Sequence, residues 1–549
     1  MTTVGEYLVK RLSEVGVKHV FGVPGDYVLD FLDRIVASPI EWVGTCNELN
    51  AGYAADAYGR INGVSAVVVT YSVGGLSLLN AVTGAYAERV PMIVISGAPH
   101  STQRYHNALM HHISTNYHLQ HDIYSRVTVR AEMLTDPARA PEQIDNAIAA
   151  CLTHKRPVYI ELPVDMGAQS CVDPAPLKLA APRCIIPETI SECVAEAVAM
   201  LSAAKNPAVL VGVEVHRFAL RDAVIELLEK TGYPVATTID GKTAIPEENP
   251  HYVGVYQGGF SDCAAHDILE SADCVLCLGA WMTDITTGGF SSHLDAGRMI
   301  NANSDKVKVR HHYYDGVYLG DFITALTAAM PAVDPASHQH SPAPYVVTGK
   351  FTPQPSAPMT VKRFFERMSY FLTDDMTVVS DTGDVLFGAS ELHRNKDASF
   401  IAQGYYLSIG YAVPAAVGVA FANKNRRVVV FAGDGAFQMT AQEVSTHVRC
   451  GLAPIIFVLN NDGYAIERLI HDGPYNEIMR WKYHRTPELF GDGCGFEVRT
   501  EGDLETALAA AEKNPDKLVL IEVVVTRDDY TATLKRVGEN IRSLQAEKK

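Results

Sequence analysis

The sequence predicts an α/β protein built from three doubly wound, parallel-sheet domains. Three observations carry that prediction. One strand–turn–helix–strand pattern recurs in each third of the chain. Two proline-punctuated stretches, Cys171–Pro187 and Pro331–Pro358, separate the thirds. The 549 residues also exceed what one hydrophobic core usually spans. Boundaries near 185 and 350 follow, giving domains 1–185, 186–350 and 351–549.

The N-terminus, "MTTVGEYLVKRLSEVGVKHV", has the spacing of an amphipathic helix. It has no basic segment followed by an apolar one, so it does not read as a secretory signal. The first repeat starts at Val64, "VSAVVVTYSVGGLSLLNAVTGAYAERVPMIVISGAP". The second starts at Asn206, "NPAVLVGVEVHRFALRDAVIELLEKTGYPVATTIDG". The third is "RRVVVFAGDGAFQMT" leading to "APIIFVLNN". All three have near-continuous apolar strands, as parallel sheets buried on both faces require. The tail from Tyr530 reads as a charged amphipathic helix that frays at Lys549.

Composition excludes several classes. Hydrophobic residues make up 47% and charged residues 20%, so large cores are expected and general disorder is not. A net charge of −17 opposes binding to nucleic acid or an anionic membrane. No apolar run reaches the ~18 residues of a membrane span, which makes the cytoplasm the expected compartment. Ten scattered cysteines suit a reducing environment. Cys274 and Cys277 form a C-x-x-C, but in a strand the two thiols point to opposite faces, and no second pair completes a zinc site.

The most informative stretch is Gly433–Asn461, "GDGAFQMTAQEVSTHVRCGLAPIIFVLNN". Val428–Ala432 reads as a strand ending in a Gly-Asp-Gly turn. Thr440 and Glu443 have capping-box spacing, so a helix is expected to start at Thr440 and end at Gly451. Ile455–Leu459 is the next strand. Parallel strands place Asp434 and Asn461 at one sheet edge, where open α/β sheets bind ligands. The Asp434 carboxylate, the Asn461 amide oxygen and the Gly463 carbonyl are three hard oxygen ligands, half an octahedron for Mg²⁺. The glycines Gly433 and Gly435 let backbone approach a bulky anion at the helix N-terminus, with Ala436 next in the expected cofactor-binding segment. No P-loop is present, so nucleotide hydrolysis is not indicated. The plain alternative is a pair of ligand-free turns.

Gly-Asp-Gly, 24 residues, then Asn-Asn resembles the thiamine-diphosphate signature. The resemblance covers essentially the whole chain and is weakest in the middle domain and second linker. It implies thiamine diphosphate and Mg²⁺ as cofactors. "CNELN" matches the context of the family's activating glutamate, which assigns Glu48 to the coenzyme's pyrimidine ring. The turn in "FGVPGDY" and the pair in "NALMHHIS" assign Asp26, His111 and His112 to proton handling, as in pyruvate and indolepyruvate decarboxylases. A metal site at His111 and His112, with His106, His118 and His121 near, is the alternative. Glu467 matches a glutamate beside the substrate carboxylate, where desolvation is expected. Thr382, Asp384, Leu407, Ser408, Ile409 and Ile466 match positions around the coenzyme. The Leu407 position offers a backbone carbonyl to the exocyclic amine, and the Ile409 position wedges the coenzyme bent.

The implied activity is non-oxidative decarboxylation of a 2-oxo acid to an aldehyde and CO₂ through a C2 ylid. Ile285 and Leu386 stand where a tyrosine and a tryptophan align in pyruvate-restricted enzymes, favouring aromatic or branched-chain 2-oxo acids. Ile466 and Ile470 in "IERLIHDGPYN" resemble the pyruvate enzymes and keep that alternative open. A carboligase resembling acetolactate synthase is a second alternative, opposed by the His-His pair. The family shares its active sites between two chains, implying a homodimer, doubled to a homotetramer.

Overall fold

The computed structural model describes residues 2–177, 186–261, 264–332, 349–392 and 399–546. Three large sheets carry the fold. The first has six parallel strands in the order Glu41–Gly44, His19–Gly22, Ser65–Val69, Met92–Ala98, Val158–Pro163, Arg130–Met133. The third is also six-stranded and pairs Ser399–Ala402, Met376–Ser380, Arg427–Gly433, Ile455–Asn460, Val519–Val524 and Cys494–Val498 in that order. The middle sheet has a parallel core of five strands, with Pro207–Val211 between Val235–Thr237 and Cys274–Leu278. Two antiparallel strands, Lys306–Val309 and His312–Asp315, extend its edge.

Each predicted repeat forms a parallel pair with a helix between. Alternation along the strands separates two cores on opposite faces of the first sheet: Val67 and Val69 go to one, Ala66 and Val68 to the other. Cys274 and Cys277 divide in the same way between two cores of the middle domain. Burial pushes both thiols up to about 12, and the two face different cores, so they do not meet as a pair. The eight described cysteines are free.

The first and third domains share one core through the helices Glu48–Asn62 and Ala412–Ala422. Gly418 makes this contact possible. A Cβ there would stand 1.9 Å from the Ala54 carbonyl oxygen, so no larger residue fits. The tail forms a helix over Ala532–Ala546. Its predicted fraying at Lys549 and the boundary at 185 lie outside the described residues.

One expectation fails locally. The helix after Gly-Asp-Gly starts at Asp434, with Gly433 in extended conformation as its N-cap, not at Thr440. Thr440 does not cap. Its hydroxyl donates to the Gly410 carbonyl at 2.8 Å, and Glu443 reaches Cys46 and Asn50 of the first domain instead. The chain passes through a 3-10 turn and resumes as Val444–Arg449, ending before Gly451 at φ +62°.

Candidate active site

Strands Arg427–Gly433 and Ile455–Asn460 are adjacent and parallel, with Gly433 opposite Leu459. Their carboxyl ends therefore present Asp434 and Asn461 side by side, as predicted. Asp434 is buried. Its Oδ1 accepts the Gly435 amide at 2.8 Å and its Oδ2 the Gly463 amide at 2.9 Å. Burial pushes its carboxyl up to about 6, against the pull of those amides. A divalent cation would favour the charged form. The residues therefore fit the group: a buried carboxylate, the neighbouring Asn461 amide and a turn with φ +65° at Asp462 and +127° at Gly463.

A cavity of about 370 Å³ opens here. Thr382, Asp384, Leu407, Ile409, Asp434, Gly435, Ala436, Asn461, Gly463 and Ile466 line it, together with Ile285, Leu386 and Glu467. A Cβ added at Gly383 or Gly433 would meet open space, so bare backbone bounds the cavity there. The Thr382 hydroxyl is buried at this wall with no hydrogen-bond partner, a donor awaiting a ligand oxygen.

Leu407 has φ +58°, which costs a branched-chain residue about 1–3 kcal/mol and marks an imposed conformation. Asp381 helps impose it. Buried at the end of Met376–Ser380, it accepts amides of Thr382 (2.9 Å), Gly410 (3.0 Å) and Ala412 (2.9 Å). It thereby ties the Thr382 turn to the Leu407 turn.

Several predicted residues sit differently. Ser408 is not in the cavity wall: its hydroxyl turns away to Tyr53 and Asn80. The Asp384 carboxylate is engaged by the Thr531 hydroxyl at 2.5 Å, so it braces the C-terminal segment. Ile470 is absent from the wall because one helical turn carries it past Ile466. Glu467 lines the cavity but is exposed, contrary to the desolvation expected of it. Leu534, Val537 and Ile541 of the C-terminal helix complete an apolar wall.

Glu48, Asp26, His111 and His112 are not in this lining. They gather at the carboxyl edge of the first sheet. Glu48 begins its helix behind the N-cap Asn47, and its Oε1 lies 3.4 Å from where a Cβ of Gly74 would stand. His111 Nε2 lies 2.6 Å from Asp26 Oδ2, and the Tyr27 ring stacks on His111 with centroids 4.9 Å apart. His112 has φ +68°, and its Nδ1 is buried without a partner. Asp26, His111 and His112 place ligand atoms within 4.8 Å of one another. Sequence spacing puts no carboxylate beside the histidines; folding supplies Asp26. His106, His118 and His121 are not in this cluster.

Three family models match the chain in order: the N-terminal thiamine pyrophosphate (thiamine diphosphate) binding domain over 2–119, the central domain over 194–329, and the C-terminal binding domain over 381–523. The chain belongs to the thiamine pyrophosphate enzymes. It is similar to pyruvate decarboxylase 1 of Pisum sativum, 36% identical over 98% of this chain and 93% of that one. It is also similar to the alpha-keto-acid decarboxylase of Mycobacterium leprae (strain TN), 38% identical over 97% and 94%. Its fold is that of benzoylformate decarboxylase from Polynucleobacter necessarius, with a TM-score of 0.80, 19% identity, and 96% and 99% coverage.

In this thiamine pyrophosphate enzyme, two residues that brace the site have no clear mark in the sequence. Asp381 is signalled only by a charge at the end of an apolar strand. Buried Arg468 donates to the carbonyls of Asn461 (3.0 Å) and Asp462 (2.9 Å) and so shapes the turn after Asn461. Nothing in its sequence context sets it apart from a surface helix arginine.

Proposed function

We propose that this protein decarboxylates a 2-oxo acid to an aldehyde and CO₂, non-oxidatively, with thiamine diphosphate held through Mg²⁺. Bound thiamine diphosphate supplies a nucleophilic carbon and an electron sink for loss of CO₂. Asp434, Asn461 and the Gly463 carbonyl hold the cation, and Gly435 and Ala436 border the diphosphate. Thr382 donates its orphaned hydroxyl, Leu407 offers its carbonyl to the exocyclic amine, and Ile409 and Ile466 pack against the coenzyme. Glu48 hydrogen-bonds the pyrimidine ring. The balance R–CO–COO⁻ + H⁺ → R–CHO + CO₂ needs one proton delivered to carbon, and Asp26, His111, His112 and Glu467 form the set that relays it.

The observation that carries this reading is the 2.6 Å pairing of His111 with Asp26 beside His112. It builds a proton-relay group at the sheet edge that also carries Glu48. That edge and the diphosphate edge do not line one cavity in a single chain, so the complete site takes its first domain from a second chain. The functional unit is a homodimer, doubled to a homotetramer, in the cytoplasm. The domains are 1–185 for the pyrimidine side, 186–350 as a structural middle, and 351–549 for the diphosphate side.

Ile285, Leu386 and Ile466, joined by Leu534, Val537 and Ile541, favour bulky aromatic or branched-chain substrates. The test is aldehyde formation in a coupled alcohol dehydrogenase assay, comparing pyruvate, 3-methyl-2-oxobutanoate, phenylpyruvate and indolepyruvate by kcat/KM. Bulky acids should lead. A tenfold lead for pyruvate, about 1.4 kcal/mol, would make this a pyruvate decarboxylase. No aldehyde from any of them would remove the decarboxylase reading.

A further inference from the structure

The turn that carries Leu407 is gripped on both sides by the first domain of its own chain. Glu88, fully buried, follows the helix Val73–Ala87. Its Oε1 accepts the amides of Tyr405 and Tyr406, both at 2.9 Å. Its Oε2 lies 3.1 Å from Arg60 Nη2, and Arg60 Nη1 donates to the Ala402 carbonyl at 2.9 Å. Beyond Leu407, the Ser408 hydroxyl lies 2.6 Å from the Tyr53 hydroxyl. Asn80 Nδ2 donates to both hydroxyls at 3.0 Å, and the Tyr406 hydroxyl donates to Asn80 Oδ1 at 3.1 Å.

Leucine does not hold a left-handed conformation unaided, so the surroundings must over-determine it. The clamp does this from both sides, through Tyr405 and Tyr406 before Leu407 and Ser408 after it. Burial pushes the Tyr53 hydroxyl up to about 12, which keeps it protonated at neutral pH. Neither Glu88 nor Tyr53 lines the cavity. Tyr53 lies on the helix that begins with Glu48. In the proposed dimer that helix meets the partner's coenzyme at one end and braces the turn of its own chain further along.

We propose that Glu88 and Tyr53 are positioning residues, holding Leu407 so that its carbonyl is aimed at the coenzyme's exocyclic amine. This rests on the role given to Leu407 above. The amine must be held in register for the coenzyme to lose its C2 proton, so the clamp controls activation of the bound coenzyme before any substrate arrives.

The test is the rate of C2 hydrogen–deuterium exchange of bound thiamine diphosphate, by quenched flow and proton NMR. Wild type, Tyr53→Phe and Glu88→Gln are compared as holoenzymes saturated with thiamine diphosphate and Mg²⁺. Exchange should slow about tenfold in each variant, with coenzyme Kd within about threefold of wild type. Wild-type exchange rates in both variants would overturn the proposal. So would weakened coenzyme binding with normal exchange at saturation, which marks a merely structural role. Tyr53→Phe removes one hydroxyl without changing ring packing, so it decides the matter if Glu88→Gln does not fold. Wild-type protein with no saturable coenzyme binding and no accelerated exchange would instead remove the functional reading itself, and this proposal with it.

Discussion

Asp434 Oδ2 accepts the amide of Gly463 at 2.9 Å, which locks the turn after one strand of the third sheet to the turn after its neighbour. One carboxylate thus organises both halves of the proposed cation site and faces a cavity bounded by bare glycine backbone. Asp434→Asn keeps the size and loses the charge. Changing a group that only hydrogen-bonds a metal ligand weakens binding by about 10–100-fold, so losing the ligand itself should weaken Mg²⁺-dependent thiamine diphosphate binding by about 100-fold or more. Titration calorimetry of wild type with EDTA should give the same loss. Tight binding to the variant would remove Asp434 from the cation.

Glu48→Gln should leave the diphosphate side intact. Coenzyme should still bind, while kcat falls by about 10²–10⁴, the usual weight of a positioned acid–base group. Steady-state kinetics at saturating coenzyme reads this, and unchanged turnover would end the assignment.

The pocket walls predict a specificity change. Leu386→Trp or Ile285→Tyr fills apolar space at the cavity, so the kcat/KM ratio of pyruvate to phenylpyruvate should rise by at least about tenfold. A ratio that does not move would place the substrate elsewhere in the cavity.

Arg60 is the counter-charge for two fully buried carboxylates, Asp56 at 2.6 Å and Glu88 at 3.1 Å. Removing the cation from such a buried group costs about 3–5 kcal/mol, because both carboxylates stay buried without their ion-pair partner. Arg60→Met should therefore lower the thermal midpoint by about 10 °C. A drop within a degree or two would mean the carboxylates find other partners.

The parts of this structure legible in sequence are those where a local rule and the fold agree. Apolar strands bounded by glycine and proline turns predicted the three sheets, and matched strand ends predicted the meeting of Asp434 with Asn461. Local rules failed where tertiary contacts outbid them. The capping-box spacing of Thr440 and Glu443 is satisfied elsewhere, by Gly410 and by Cys46 and Asn50. Ser408 borders the strained Leu407 but faces the first domain, a direction set by φ and invisible in the letters. Asp381 and Arg468 act through backbone atoms, Asp381 on Gly410 and Ala412 and Arg468 on the turn before its own helix, and such contacts leave no pattern in sequence. The tail reads as a charged amphipathic helix, and only the fold shows that its Val537 and Ile541 wall the cavity.

In the proposed homodimer, Glu48 of one chain and Asp434 of the other complete one site. Co-expressing Glu48→Gln and Asp434→Ala chains tests it most directly, because each variant alone should be inactive. If sites are shared, half the random dimers are mixed and each holds one intact site, so aldehyde formation should return to about a quarter of wild type. No recovery in mixed dimers verified by differential tags would contradict the account, since it would place both residues of each site on a single chain.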